Sequence, residues 1–503
     1  MTPTTTEEKR GNLFLRVYER ARDSADGIAG RDGLGAKVIR GNAWLGTWSV
    51  GSQAARLFRN IILTRLLAPE AFGVMAIVLS VGSIIHTLTD MGVKESLVQN
   101  PRGAEDHYAD AAWWLALARS VALYGVLFAA APWLAGLYKN PEVTPLLRVV
   151  SLGTIFDGAF SSKAYVAMKE MKFRKWAAIV HLGAICGIVI TLILGIFLRN
   201  VWALVLGSVA ENAASCAISY IFCPHLPSPS WNKEAMRDLL RFSKGLFGLS
   251  FLNFIFARTD VFVLGKLFSP AALGLYVMAV YLVQTPVGFI MNMFGQTLFP
   301  AFSQIQGDHG RINRNFLKFT SAVAGAALPA VVVIFFCGRS LLTCFYGHRY
   351  AEAAPALMVA ACIGTINIVN GNITTVFYSK GLPQLHRRCV ALMAIAMIAL
   401  IYPSAKTFGL VGGQLAALAA IIIGYLSQLE RMRSVTGLEL GRYFKSLSVP
   451  ALTAAGIALV FVAARPLVMG RPILNIAVGL SVCAVAYWFG LRAVARNLQK
   501  QSV

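Results

Sequence analysis

Charge is scarce in this sequence. Asp, Glu, Lys and Arg make up only 14% of 503 residues, against 57% hydrophobic residues and a mean hydropathy of +0.63. A chain with so little polar surface cannot cover itself in water, which excludes a soluble globular protein. Acids are scarcer still, 23 against 46 bases. The eight cysteines form no CxxC and no Cys/His cluster, so the spacing of a zinc site or a redox dithiol is missing, and neither a metal nor a cofactor is expected. Most of the cysteines, Cys186, Cys216, Cys362 and Cys483 among them, sit in apolar runs as packing residues. Strand-type alternation is absent, which excludes a membrane barrel. Met1 to Arg40 mixes acids with bases and lacks the apolar core of a cleavable signal; its "NLFLRVYERA" suits a leaflet-bound helix or a loose tail equally.

What is present is a series of apolar runs, each of roughly twenty residues, enough to cross a ~30 Å hydrocarbon core as a helix. About fourteen spans are predicted: 43–66, 72–93, 112–134, 145–168, 176–198, 201–222, 242–265, 272–294, 317–337, 354–378, 389–405, 409–429, 448–465 and 472–492. With a cytoplasmic N-terminus, 31 of the Lys and Arg residues fall on the cytoplasmic side, ten on the other and five inside spans. That asymmetry predicts both termini in the cytoplasm. It also accounts for the net charge of +23 through orientation and contact with anionic lipid, and nucleic acid is not an expected partner.

The sequence repeats itself. "IILTRLLAPEAFGVMAIVLS" from Ile61 returns as "VFVLGKLFSPAALGLYVMAV" from Val261, a shift of 201 that aligns Pro69 with Pro270 and Gly73 with Gly274. "WALVLGSVA" from Trp202 returns as "FGLVGGQLA" from Phe408 at a shift of 206. Six helices per copy in the same orientation describe parallel repeats around an axis along the membrane normal, the arrangement of alternating-access carriers. The domains read as a cytoplasmic tail (1–42), an N-lobe (43–222), a C-lobe (223–430) and an extra helix pair with a cytoplasmic C-terminus (431–503).

"LTRLLAPEAFGVMAIV", "DVFVLGKLFSPAALGLYVMA", "LFPAFSQIQGDHGRINRNFLKFTSA" and "CFYGHRYAEAAPALMVAA" resemble the polysaccharide transporter family. These are the O-antigen and exopolysaccharide repeat-unit flippases of the multidrug/oligosaccharidyl-lipid/polysaccharide exporter superfamily. The resemblance implies an all-α fold of two six-helix lobes around a central cavity in the bacterial inner membrane. It implies movement of a polyprenyl-diphosphate-linked oligosaccharide to the outer leaflet without covalent chemistry, with a polysaccharide polymerase and chain-length proteins as partners. The further two helices resemble the extra pair that can form a side groove for a lipid tail.

The polar residues inside the spans fit a large anionic cargo. Arg56, Arg59, Arg119, Lys163 and Arg258 would each cost about 2.5 to 3.5 kcal/mol facing lipid at mid-membrane, so they must face water or partners. Ser49, Ser52, Arg56, Arg59 and Asn60 form one polar stripe, either lining a substrate path or pairing with acids and headgroups. Arginine's planar fork suits a diphosphate, which makes Arg56, Arg59 and Arg258 the candidate diphosphate ligands. At the repeat shift Arg59 falls on Asp260, a possible pairing across the lobes. Glu211, His86, Asp90 and Asp260 are candidates for ion coupling; for Glu211 and His86 the plainer reading is pairing with Arg119 or Lys163. The C-terminal copy carries amides instead. Asn253, Asn367 and Asn370 are candidates for a sugar face, or for gluing helices together. "IVNGNITT" around Gly371 is expected to be an unwound turn or a hinge.

A multidrug extruder should place acids rather than five bases in its cavity. A membrane glycosyltransferase or ligase should carry a large outer loop, and the predicted outer loops are all short. The lipid-linked peptidoglycan precursor is an alternative cargo.

Overall fold

The computed structural model describes residues 51–89, 92–100, 102–228, 232–243, 247–468, 473–479 and 481. The N-terminal tail, Ser49, Asp90, Cys483 and most of the last predicted span lie outside the described residues. The described residues form helices joined by turns and loops. Among them nine helices are long and apolar enough to cross a membrane, or ten if a bent pair counts as one span. The chain is a multi-pass membrane protein.

Helix α1 (51–66) leads into α2 (Pro69–Thr89), and α3 (Val93–Gln99) is a short element. α4 (Asp106–Leu137) is followed by the predicted fourth span, which departs from expectation. It is broken into α5 (Val143–Val150), α6 (Leu152–Gly158) and α7 (Ser162–Lys169), with a 53° bend between Val143–Gly158 and Ser162–Lys169. Ser161 explains the break: its amide donates to Ser219 Oγ at 3.0 Å and its hydroxyl to the Cys223 carbonyl at 2.7 Å, bonds that stand in for those of a continuous helix. Lys163, just past the bend, pairs with Asp106 at 3.0 Å, and both side chains are exposed.

α8 (Phe173–Leu198) and α9 (Val201–Phe222) form a tight hairpin. Gly183 and Gly187, spaced as a small-xxx-small motif, lie against Ser215 and Glu211, and a side chain at either glycine would collide with that helix. The linker to the second half contains α10 (Lys233–Ser243), which the sequence reading did not resolve from a basic loop. It buries Ala235 and Leu239 against Val93, Leu97, Tyr108 and Val166. Arg102 reaches Glu234 at 3.0 Å, and the Tyr108 hydroxyl donates to Asp238 at 2.9 Å. The linker is thus docked on the first half.

The second half comprises α11 (Phe247–Leu267), α12 (Pro270–Gln304), α13 (His309–Phe345), α14 (Ala354–Ser379), α15 (Pro383–Phe408) and α16 (Leu410–Thr436). α17 (Leu440–Val468) packs on α13, with Phe336 and Phe461 stacked at 5.1 Å. α14 runs unbroken through the "IVNGNITT" segment, so neither an unwound turn nor a break is present there. One glycine costs a helix only about 1 kcal/mol, which the buried neighbours Ile368, Val369 and Ile373 offset.

The two halves meet where the sequence repeats. α2 and α12 both begin with proline at the first helical position, where its missing N–H costs nothing. A Cβ on Gly73 would strike the Pro270 carbonyl, and one on Gly274 would strike the Pro69 carbonyl. Two backbones touch reciprocally because both residues are glycine. Leu63, Leu67, Leu264 and Leu273 complete the seal.

Candidate functional site

In the first half, Arg56 of α1 forms a two-pronged ion pair with Glu211 of α9. Their side chains are 31% and 21% exposed, so the pair is sheltered but reachable. Gly187 opposite Glu211 leaves room for the glutamate stem, which is why an acid fits on a helix this closely packed. The partner of Glu211 is therefore Arg56, and neither Arg119 nor Lys163. Arg59, one turn on, donates from Nε to Asn60 Oδ1 at 3.2 Å and lies within electrostatic reach of Arg56, Glu211 and Tyr281 of the second half. His181 of α8 adjoins Arg56.

A second polar group lies deeper in sequence but on the same half. His86 Nε2 is 3.4 Å from Asp157 Oδ2, and Arg119 donates to the His86 carbonyl at 3.0 Å. His86 is thus joined to Arg119 through its backbone and to Asp157 through its ring.

Asp260 does not meet Arg59. It accepts from the Tyr276 hydroxyl at 2.7 Å and from the Val261 amide at 2.8 Å, and Gln414 Nε2 donates to the same Tyr276 oxygen at 2.6 Å. This chain ties α11, α12 and α16 together. Tyr276 and Gln414 carried no signal in the sequence, because an isolated Tyr and an isolated Gln in apolar helices look like packing residues.

The structure brings Asn253, Asn367 and Asn370 onto one cavity of about 430 Å³ between α11, α12, α14 and α15. Phe256 also lines this cavity; Arg258 does not, and is exposed next to Ala257. The sequence reading missed His386, whose Nδ1 lies 3.3 Å from Thr374 Oγ1, and Gln428, whose Oε1 accepts from the same hydroxyl at 3.3 Å. His386 sits beside Arg387 and Arg388, which hid it.

Comparison with known proteins follows this geometry. The family described as "Polysaccharide biosynthesis protein" matches residues 62–355. The lipopolysaccharide biosynthesis protein WzxC of Escherichia coli (strain K12) is 21% identical over 83% of this chain and 85% of its own length. The succinoglycan biosynthesis transport protein ExoT of Rhizobium meliloti (strain 1021) is 24% identical over 69% of this chain and 70% of its own. The solved structure of the lipid II flippase MurJ in an inward closed conformation superposes with a TM-score of 0.73 at 13% identity, covering 90% of this chain and 99% of that one. At that identity the likeness shows the fold.

Proposed function

From the premise that this chain belongs to the polysaccharide biosynthesis protein family, we propose that it is a flippase carrying polyprenyl-diphosphate-linked oligosaccharide repeat units from the inner to the outer leaflet of the bacterial cytoplasmic membrane, both termini facing the cytoplasm. The observation that carries this reading is the sheltered basic pair Arg56 and Arg59 on one membrane helix. Arg56 is held ready by Glu211, and Arg59 lies within electrostatic reach of Tyr281 in the second half. A diphosphate offers the paired oxygens a guanidinium fork prefers, and it can take over Arg56 from Glu211. Arg258, exposed on α11, supplies the second half's charge.

The mechanism is alternating access between two lobes. In the structure the halves are sealed at the reciprocal Gly73/Gly274 contact, which the charge rule puts at the outer surface. The cargo enters from the cytoplasmic side, exchanges water for arginine, and leaves when that contact opens. No bond is made or broken. A cation-exporting antiporter fits less well, because Glu211 of the N-terminal half is already neutralised by Arg56.

Deleting the gene tests the reading: the lipid-linked repeat unit should accumulate on the cytoplasmic leaflet and surface polymer should fall. Unchanged lipid-linked pools with intact polymer would refute it. Reporter fusions after residues 140, 268 and 348 should report outside, and after 172, 236, 310 and 384 inside.

A further inference from the structure

We infer that the amide cavity of the second half is a seat for one uncharged sugar of the cargo, separate from the diphosphate site; the inference rests on the flippase reading above. The cavity of about 430 Å³ is of small-molecule size and has the volume of roughly a dozen waters, which a hydroxyl-bearing ring would replace. Its polar wall is neutral. Asn253, Asn367, Asn370, Asn372 and Thr374 line it, joined by the imidazole of His386, with no carboxylate, lysine or arginine among the described lining residues.

Asn370 and Asn372 flank the Gly371 face of α14 and are buried, 6% and 1% exposed; among the described residues Asn370 Oδ1 and Asn372 Nδ2 have no hydrogen-bond partner. Neither atom is open to the cavity, and two residues apart on α14 the side chains diverge by about 200°, so no one ring meets both. The hydroxyls of a bound ring, which both donate and accept, are met instead by the exposed Asn253 and by Asn367 and Thr374 on one face of α14. Gln428, fully buried behind Thr374, fixes that hydroxyl and through it the His386 ring. The remaining wall is apolar and aromatic. Phe256 and Met291 line it with Tyr378, whose ring stands edge-on to His386 at 5.5 Å and 80°. An apolar face beside convergent hydrogen-bonding groups is what a pyranose, with its CH face and hydroxyl rim, requires. A uronate would bring a carboxylate into a wall with no cation to meet it, so the seat selects against acidic sugars.

The test uses the full-length protein in nanodiscs and three probes: undecaprenyl diphosphate alone, and the same lipid carrying a single glucose or a single glucuronate. Glucose should tighten binding about tenfold over the bare lipid, and glucuronate should not. Asn367→Leu, a near-isosteric change on the cavity face, should remove the glucose increment and leave bare-lipid affinity within about twofold. Asn253→Ala covers the case in which that variant does not fold, since its side chain is exposed to the cavity; it should reduce the increment about threefold. Equal affinity for glucosylated and bare lipid, or a full increment retained in both Asn253→Ala and Asn367→Leu, overturns the seat. Equal losses for both lipids in Asn367→Leu, or tighter binding of the glucuronate probe, overturns its separateness or its neutrality. The double variant Arg56→Gln, Glu211→Gln separates the two readings. It should weaken all three lipids alike, and if it weakens none, the diphosphate assignment fails while the glucose increment still stands.

Discussion

The two halves of this protein distribute polarity in opposite ways. The first half carries ionisable side chains on its helices and holds them with partners: Arg56 with Glu211, His86 with Asp157, Arg119 on the His86 carbonyl. The second half uses amides and hydroxyls, with Asn370, Asn372 and Gln428 buried and its carboxylate Asp260 absorbed by Tyr276. Charge attracts over distance but is costly to desolvate, while amides act only at contact and specify shape. The contrast fits one half that captures an ionic group and another that reads a neutral one.

The sharpest way to break this contrast is at the ion pair. Arg56→Ala leaves the Glu211 carboxylate sheltered without its partner, costing about 2 kcal/mol, below the 3–5 of a fully buried pair because both groups keep some water. Membrane level and transport should both fall. Arg56→Gln with Glu211→Gln should restore the level, read by immunoblot, but not surface polymer. Recovery of polymer would show the charges to be structural.

Next in size is the seam between the halves. Gly73→Ala or Gly274→Ala puts a methyl into the opposing proline carbonyl, an overpacking cost of about 1–3 kcal/mol. Each should cut polymer export about tenfold and raise labelling of an introduced Cys at Ser269 by an impermeant thiol reagent.

Asp260→Asn should cost only about 1 kcal/mol, since the amide oxygen still accepts from Tyr276, and export should stay near normal. A large loss of export with normal protein level would return Asp260 to ion coupling and weaken the contrast.

A smaller effect is expected at the linker. His225 Nε2 lies 3.1 Å from Asp110 Oδ1, angled away from a straight hydrogen bond, and burial holds its pKa below the usual 6.5 despite Asp110 and Asp106, with Lys163 opposing protonation. Because the folded pKa is the lower one, the unfolded chain takes up the proton first. Stability from this site is complete above about pH 6.5 and falls as the pH drops toward the folded pKa. Melting curves at pH 7.5 and 5.5 should show a small drop in wild type that His225→Asn lacks. Smallest of all, Lys172→Ala and Arg442→Ala break exposed pairs with Glu170 and Glu439 and should leave export and melting unchanged within about 0.5 kcal/mol.

Much of the fold could be read in advance because apolar length and the Pro/Gly repeat are local signals: Pro69 and Gly73 predict Pro270 and Gly274, and both pairs meet in space. What was illegible depends on partners distant in sequence. Ser161 breaks a span through hydrogen bonds to Ser219 and Cys223, some sixty residues on. Glu211 finds Arg56 rather than the basic residues expected, since the choice among buried cations is made by how closely α8 and α9 pack. Lys233–Ser243 is an amphipathic helix whose apolar stripe was hidden under its bases. The cavity amides Asn253, Asn367 and Asn370 were visible as residue types, but their convergence with His386 was not.

The contact between Gly73 and Gly274 carries a historical consequence. Each glycine makes room for the other helix's proline carbonyl, so the surface is self-complementary in the manner of a two-fold dimer. A single ancestral half bearing one such proline and glycine would have been able to close against a second copy of itself. Fusion of two copies would then have released each from being identical to its partner. One half was free to gather charge and the other amides, while the two glycines stayed bound to each other's fate, since a change in either is felt by both.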